Sequence, residues 1–304
     1  MSASTQVTVA VEDRQLQLSN LDKVLYPEAG FTKAQLIDYY SRIGPVLIPH
    51  LRDRPLTLKR YPNGVDGQMF YEKNCPSHSP DWVQKAEIWS QHNNRFIGYC
   101  MVQDLPTLVW VANLASLELH TSLSLASDMP TPRVLAFDLD PGPPADVVQC
   151  CQVALWIRDF FGAHSVQSFP KTSGSKGLQV YVPINSPGTY EDTKRVSKGL
   201  AQRLEREHPE LVVHRQLKTL RTGKVLIDWS QNDDSKTTVN VYSLRARPYP
   251  TVSTPIEWEE VESTVAHGHA DKLVFTADDV RARVDRLGDL FAPVLTLRQS
   301  LPEP

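Results

Sequence analysis

Val134-Leu135-Ala136-Phe137-Asp138-Leu139-Asp140-Pro141-Gly142 is an apolar run that ends in two carboxylates spaced two residues apart. Side chains alternate across a strand, so a strand here puts Asp138 and Asp140 on one side and Phe137 and Leu139 on the other. Two like charges so close repel unless a cation sits between them, and hard oxygen ligands favour Mg²⁺ or Mn²⁺. The run therefore predicts half of a metal site at the end of a buried strand. Taken alone, an Asp-x-Asp before proline is also an ordinary solvated strand end. The rest of the site must come from elsewhere in the chain.

Downstream, a Pro-Gly-Pro-Pro turn leads into a helix predicted over 145–161, with Val148, Cys151, Leu155 and Ile157 or Arg158 at helical spacing. Strands over 166–169 and 178–182 flank Lys171-Thr172-Ser173-Gly174-Ser175-Lys176-Gly177, so this segment reads as a hairpin with a polar, glycine-rich loop. Residues 189–208 read as a helix ended by Pro209, and 224–229 as a strand that delivers a third acid, Asp228. Upstream, Thr32 caps a helix over 32–43 that Gly44 and Pro45 follow. A strand over 54–61 carries Lys59 and Arg60 into the turn Pro62-Asn63-Gly64, and 105–120 reads as a short helix or a strand-helix pair. With no repeats and no linker before residue 250, the chain reads as one compact α/β (α+β) unit.

Composition narrows the function classes. At 304 residues the chain can bury one large core or two modest ones. It contains no run of about 18 apolar residues to span a membrane. Met1-Ser2-Ala3-Ser4-Thr5 lacks the basic and apolar parts of a secretory signal, so a cytosolic protein is expected. Cys75, Cys100, Cys150 and Cys151 form no paired framework and are expected to be reduced, apolar fillers. Cys75, His78, His92 and Cys100 match no standard zinc spacing. The formal net charge of −3 excludes a chain that is basic throughout. Locally, Arg215, Lys218, Arg221, Lys224, Lys236, Arg245 and Arg247 form a basic segment, and 257–289 is strongly acidic.

Residues 171–177 suit a loop whose backbone N–H groups and hydroxyls surround phosphate oxygens. The loop joins two strands and lacks the G-x-x-x-x-G-K-[ST] spacing, which disfavours a P-loop ATPase. An Asp-x-Asp strand, this loop and the strand-borne Asp228 together supply three carboxylates for two divalent ions and an anion cradle. Nucleotidyl transfer needs such parts: one metal activates a 3′-hydroxyl, and another stabilises the leaving pyrophosphate. Lys59, Lys176, Arg221, Lys236 and Arg245 are available to neutralise a triphosphate.

Five ordered segments, 18–27 (LSNLDKVLYP), 59–65 (KRYPNGV), 137–141 (FDLDP), 172–178 (TSGSKGL) and 228–232 (DWSQN), closely resemble the polymerase domain of bacterial ligase D, in the archaeo-eukaryotic primase superfamily. The resemblance is colinear from about Gln17 to Leu290. It implies a single primase-polymerase domain over 1–304 with an N-terminal lobe at 17–130, an RRM-like catalytic core at 131–250 and an acidic segment at 251–304. It also implies that Asp138, Asp140 and Asp228 hold two Mn²⁺ or Mg²⁺ ions and that nucleoside triphosphates are the substrates. Ser173, Gly174, Ser175 and Lys176 would hold the triphosphate, with His120, Lys59, Arg221, Lys236 and Arg245 around the nucleotide. Asn20, Lys23 and Lys33 match a pocket for a DNA 5′-phosphate, and Phe70 and Tyr71 a position that stacks on DNA.

The implied activity is gap filling and 3′-end extension, favouring ribonucleotides, in non-homologous end joining or gap repair. Ku and a DNA ligase are the implied partners, and the bacterial cytoplasm, at the nucleoid, the implied location. Gln179 departs from the family, which usually has a histidine there at the nucleotide site; glutamine hydrogen-bonds but cannot become cationic. That leaves sugar and metal preference open. The chain carries no nucleotidyl-lysine ligase signature and no recognisable nuclease module, so it reads as an excised domain or, given Met1, a stand-alone relative. A non-catalytic module that bridges DNA ends and a metal-dependent phosphoesterase are the rival readings.

Overall fold

The computed structural model describes residues 6–303; the opening residues 1–5, read above for a targeting signal, lie outside them. Hairpin β1 (Gln6–Val11) and β2 (Arg14–Ser19) precedes β3 (Val24–Tyr26), β4 (Phe31–Thr32) and α1 (Lys33–Leu51). Next come β5 (Leu56–Arg60), β6 (Phe70–Glu72), hairpin β7 (Lys85–Ser90) and β8 (Arg95–Cys100), α2 (Leu105–Asn113) and β9 (Ser116–Thr121). The short β10 (Ser124–Leu125) and β11 (Asp128–Pro132) lead to β12 (Val134–Pro141), α3 (Val147–Ala163), β13 (Phe169–Thr172), β14 (Leu178–Pro183) and α4 (Tyr190–Glu207). The chain closes with β15 (Val212–Val213), β16 (Val225–Asp228), β17 (Thr238–Val239), α5 (Trp258–His267), α6 (Ala277–Leu287) and α7 (Pro293–Thr296).

Two sheets position the site. A five-stranded sheet runs β13-β14-β12-β16-β15, and a six-stranded sheet runs β17-β9-β5-β8-β7 with β6 on β5. β12 lies centrally in the first, antiparallel to both β14 and β16. Its alternation divides two cores. Leu135, Phe137 and Leu139 pack with α3 and α4 through Ile157, Phe161 and Leu200. Val134 and Ala136 face the other way, into the core built on α1 and α2. Two residues on, the same face carries Asp138 and Asp140, so the strand passes from core into cleft as its apolar pattern stops.

Several elements differ from expectation. α1 runs on through Pro45 and Pro49 to Leu51. Proline removes a helical donor, but buried Leu47, Ile48 and Leu51 extend the apolar stripe, and their burial outweighs that loss. Residues 105–120 resolve as a helix followed by a strand. The strand expected at 166–169 lies at Phe169–Thr172, which moves Lys171 from the loop into a buried strand. Cys75 and Cys100 are joined in a disulfide, contrary to the reduced state expected for them. Folding of the β7–β8 hairpin brings them together, with Cys75 N–H donating to the Gly98 carbonyl at 2.6 Å, a proximity that residue spacing does not reveal. Cys150 and Cys151 are free and buried, as expected.

Candidate active site

Asp138 lies opposite Gln179 on β14 and Asp228 on β16. Its Oδ1 accepts from Gln179 Nε2 at 3.0 Å. Asp228 Oδ1 accepts from Gln216 Nε2 at 2.7 Å, Ser230 N at 3.0 Å and Ser230 Oγ at 2.6 Å, and its Oδ2 accepts from Gln231 Nε2 at 2.8 Å. Burial, then the charge of Asp140, push the Asp138 carboxyl up to about 6, with Asp228 adding to the effect and the Gln179 hydrogen bond opposing it. That is the signature of an acid cluster short of positive charge. Among the described residues no group of three or more His, Cys, Asp or Glu side chains is already arranged to hold a metal ion. The donor chemistry nevertheless fits hard divalent ions: all three acids are carboxylates, and Asp138 and Asp140 border an open cavity of about 240 Å³, whose lining does not include Asp228.

The β13–β14 loop forms another wall of that cavity. Ser173 Oγ accepts the N–H groups of Ser175 at 3.2 Å and Gly177 at 3.1 Å, curling the loop inward. Gly174 has φ of +66°, and a Cβ there would lie 2.5 Å from the Val252 carbonyl carbon, so the turn admits only glycine. Arg245 Nη1 donates to the Ser173 carbonyl. Ser173, Ser175 and Lys176 share the cavity with Asp138, Asp140, His120, Gln179 and Arg245.

Beneath these groups lies Glu118, a buried acid that the sequence did not single out. Its Oε2 accepts from Lys59 Nζ and His120 Nε2, each at 2.8 Å, and its Oε1 lies 3.3 Å from Arg245 Nε and accepts Ala246 N at 3.1 Å. Burial works to raise the Glu118 pKa, but the His120 hydrogen bond and the charges of Arg245, His120 and Lys59 outweigh it and hold the carboxyl well below the usual range. Burial lowers the His120 pKa, against the pull of Glu118. One anion thus gathers three of the predicted nucleotide-site residues.

Not every predicted contact converges. Arg221 donates to Gln216 Oε1 at 2.9 Å and so reaches Asp228 only through that amide. Lys236 is exposed and lies outside the cavity lining. Sequence reading also passed over Gln216, Gln231 and Thr238; Gln231 falls within the 228–232 segment, but nothing local marked it as an Asp228 partner.

A second cavity, about 690 Å³, brings together Asn20, Lys23, Lys33, Arg60, Trp82 and Trp110. Lys23 Nζ donates to Asn63 Oδ1 at 2.8 Å, and Lys33 Nζ to the Ser19 carbonyl at 2.6 Å. Burial, then the charges of Lys23 and Arg60, lower Lys33 to about 8. Cations that destabilise one another in this way form a pocket suited to an anion. Phe70 and Tyr71 are 39% and 49% exposed, which rules out plain core packing. Tyr71 OH lies 3.2 Å from Thr237 Oγ1, and Thr237 borders the first cavity.

Residues 32–291 match the family described as LigD, primase-polymerase domain. The multifunctional non-homologous end joining protein LigD of Mycolicibacterium smegmatis is 41% identical over 282 residues, covering 92% of this chain and 36% of the relative. The bifunctional non-homologous end joining protein LigD of Bacillus subtilis is 31% identical over 274 residues, covering 90% of this chain and 43% of the relative. The chain thus spans well under half the length of these relatives. The solved polymerase domain from Mycobacterium tuberculosis Ligase D, in complex with DNA, superposes with a TM-score of 0.86 at 36% identity, covering 95% of this chain and all of that one.

Proposed function

The chain belongs to the LigD primase-polymerase family, a family of DNA-directed nucleotidyltransferases, and from that premise we propose that it extends DNA 3′ ends at short gaps and 5′-phosphorylated breaks during end-joining or gap repair. The observation that carries this reading is that the paired acids, the serine-glycine loop, and His120 and Arg245 tied to Glu118 border one cavity, while a separate cationic pocket lies elsewhere and an exposed aromatic strand reaches the first cavity's edge through Tyr71. Asp138, Asp140 and Asp228 would hold two Mn²⁺ or Mg²⁺ ions. Bound there, such ions supply charge for the attacking hydroxyl and the leaving pyrophosphate.

The chain's own residues bind and orient. Ser173, Gly174, Ser175 and Lys176 cradle the triphosphate, with Lys59 and Arg245 held in place by Glu118 to offset its charge. His120 and Gln179 lie beside the sugar and reacting phosphate, where ribonucleotides are favoured. Arg221 holds Gln216 against Asp228, and Lys236 meets the nucleotide only if its turn moves inward. Asn20, Lys23 and Lys33 anchor the downstream 5′-phosphate, and Phe70 and Tyr71 stack on bases between the two pockets. The anchoring belongs to the lobe at 17–130, the chemistry centres on 131–250, and 251–304 buttresses both. Ku and a DNA ligase are the expected partners, in the cytoplasm at the nucleoid; among the described residues no helix is long and apolar enough to cross a membrane.

The test is primer extension with Mn²⁺ on a 5′-phosphorylated gap, comparing ribo- with deoxynucleoside triphosphates and wild type with Asp138→Ala. Extension by wild type alone is expected, with ribonucleotides preferred. DNA binding without any extension would instead identify a bridging module, and removal of nucleotides a phosphoesterase.

A further inference from the structure

Lys171 is fully buried, yet the nucleotide cradle does not use it. Its Nζ lies 2.5 Å from Gln179 Oε1, 2.6 Å from Ser253 Oγ and 3.1 Å from the Val239 carbonyl. Burial and the charge of Arg245 lower its pKa well below the usual lysine value, and the amine is a donor in either protonation state. The Ser253 hydroxyl hydrogen is committed to the Thr172 carbonyl at 2.9 Å, so Ser253 Oγ meets Lys171 as an acceptor. The Val239 carbonyl is a second acceptor, and on the far side of Gln179 the Asp138 carboxylate, which only accepts, requires the amide's nitrogen. Nε2 therefore faces Asp138 Oδ1 at 3.0 Å, which turns the amide oxygen toward Lys171 as a further acceptor.

We propose that Lys171 is a positioning residue that fixes the polarity of the Gln179 amide, so that one oxygen of Asp138 is always occupied by a donor and the other is presented to the cavity. A freely flipping amide would spend part of its time with an oxygen against the carboxylate, disordering it. A histidine at 179 can supply the same polarity, accepting from Lys171 on one ring nitrogen and donating to Asp138 from the other. The inferred effect on cation binding rests on the metal site proposed above; the inferred amide orientation does not.

Two measurements on the full chain separate them. In chelator, side-chain amide exchange of ¹⁵N-labelled Gln179, assigned by its loss in Gln179→Ala, should be slow in wild type and about tenfold faster in Lys171→Met, the expected loss of one buried hydrogen bond. Mn²⁺ binding followed by electron paramagnetic resonance should weaken by a similar factor in Lys171→Met. That weakening should vanish in a Gln179→Ala background and be absent when the wild type is compared with Gln179→His. Unchanged exchange in Lys171→Met, or equal weakening of Mn²⁺ binding in both backgrounds, overturns the proposal. Altered exchange with Mn²⁺ binding that ignores Asp138→Ala leaves the positioning role intact and removes the metal reading. Should Lys171→Met fail to fold, the side-chain ¹⁵Nζ resonance of wild-type Lys171 serves instead: it must shift in Gln179→Ala, and its indifference to that change is contrary to the proposal.

Discussion

Asp138 on β12 stands directly opposite Asp228 on β16 in the antiparallel register, which places acids that are far apart in sequence side by side on one sheet. Asp138→Ala and Asp228→Ala are each expected to cut extension by ~10³-fold or more, since metal-borne charge stabilisation is worth several kcal/mol and each 1.36 kcal/mol is tenfold in rate. DNA binding, measured by fluorescence anisotropy, should change little because neither side chain borders the second cavity. Full extension by either variant would remove that acid from the reaction.

Glu118 deserves the next substitution because it is the common anchor for Lys59, His120 and Arg245. Removing one partner of a buried ion pair leaves the others desolvated and unpaired, which costs about 3–5 kcal/mol. Glu118→Ala should therefore unfold at markedly lower denaturant and raise the KM for nucleoside triphosphate by about tenfold or more, since small misplacements of binding groups are costly. Discrimination between 5′-phosphorylated and 5′-hydroxyl DNA should be unchanged. An unaltered KM in a folded Glu118→Ala protein would show that Lys59, His120 and Arg245 reach their places without it.

The contrast between Asp138 and Glu118 explains what the sequence could reveal. Asp138, Asp140 and the 173–177 loop are legible because their meaning is local: alternation along one strand and glycines at one turn. Glu118 meets Lys59 across 59 residues and Ala246 across 128, so no window of sequence contains its network. The same holds for Lys171, whose partner Ser253 is 82 residues away. The extent of α1 beyond Pro45 was hidden for a related reason, since local propensity argues for a stop and only tertiary burial argues against it. The disulfide between Cys75 and Cys100 required knowing that β8 returns alongside residue 75.

Exposed Phe70 and Tyr71 sit on β6, paired with Arg60 and Lys59 of β5. Base stacking on such rings is worth ~1–3 kcal/mol per base and tolerates any sequence. Tyr71→Ala should thus weaken DNA binding by about tenfold or more without changing sequence preference, and thermal stability should be kept because the ring is half-exposed. Binding titrations on gapped duplexes of differing sequence check this; a loss confined to one sequence would point to base readout in place of stacking.

Lys33 gives the second cavity a pH dependence of definite sign. Burial, Lys23 and Arg60 lower its pKa from 10.5 to about 8, so the folded protein holds this proton less tightly than the unfolded chain does. Linkage then makes its contribution to stability rise, not fall, as the pH climbs from about 8 toward 10.5. Phosphate affinity moves the other way, because the charge that attracts the anion is lost through the same lower pKa. Preference for 5′-phosphorylated over 5′-hydroxyl gaps should therefore decline as the pH rises through about 8, displaced somewhat upward by the bound phosphate itself. Lys33→Arg keeps its charge throughout and should flatten the profile. Lys23→Ala should lower the preference at every pH by weakening binding chiefly to phosphorylated ends. A preference that stays constant across this range in wild type, or equal loss on both ends in Lys23→Ala, would mean that these lysines do not meet the phosphate.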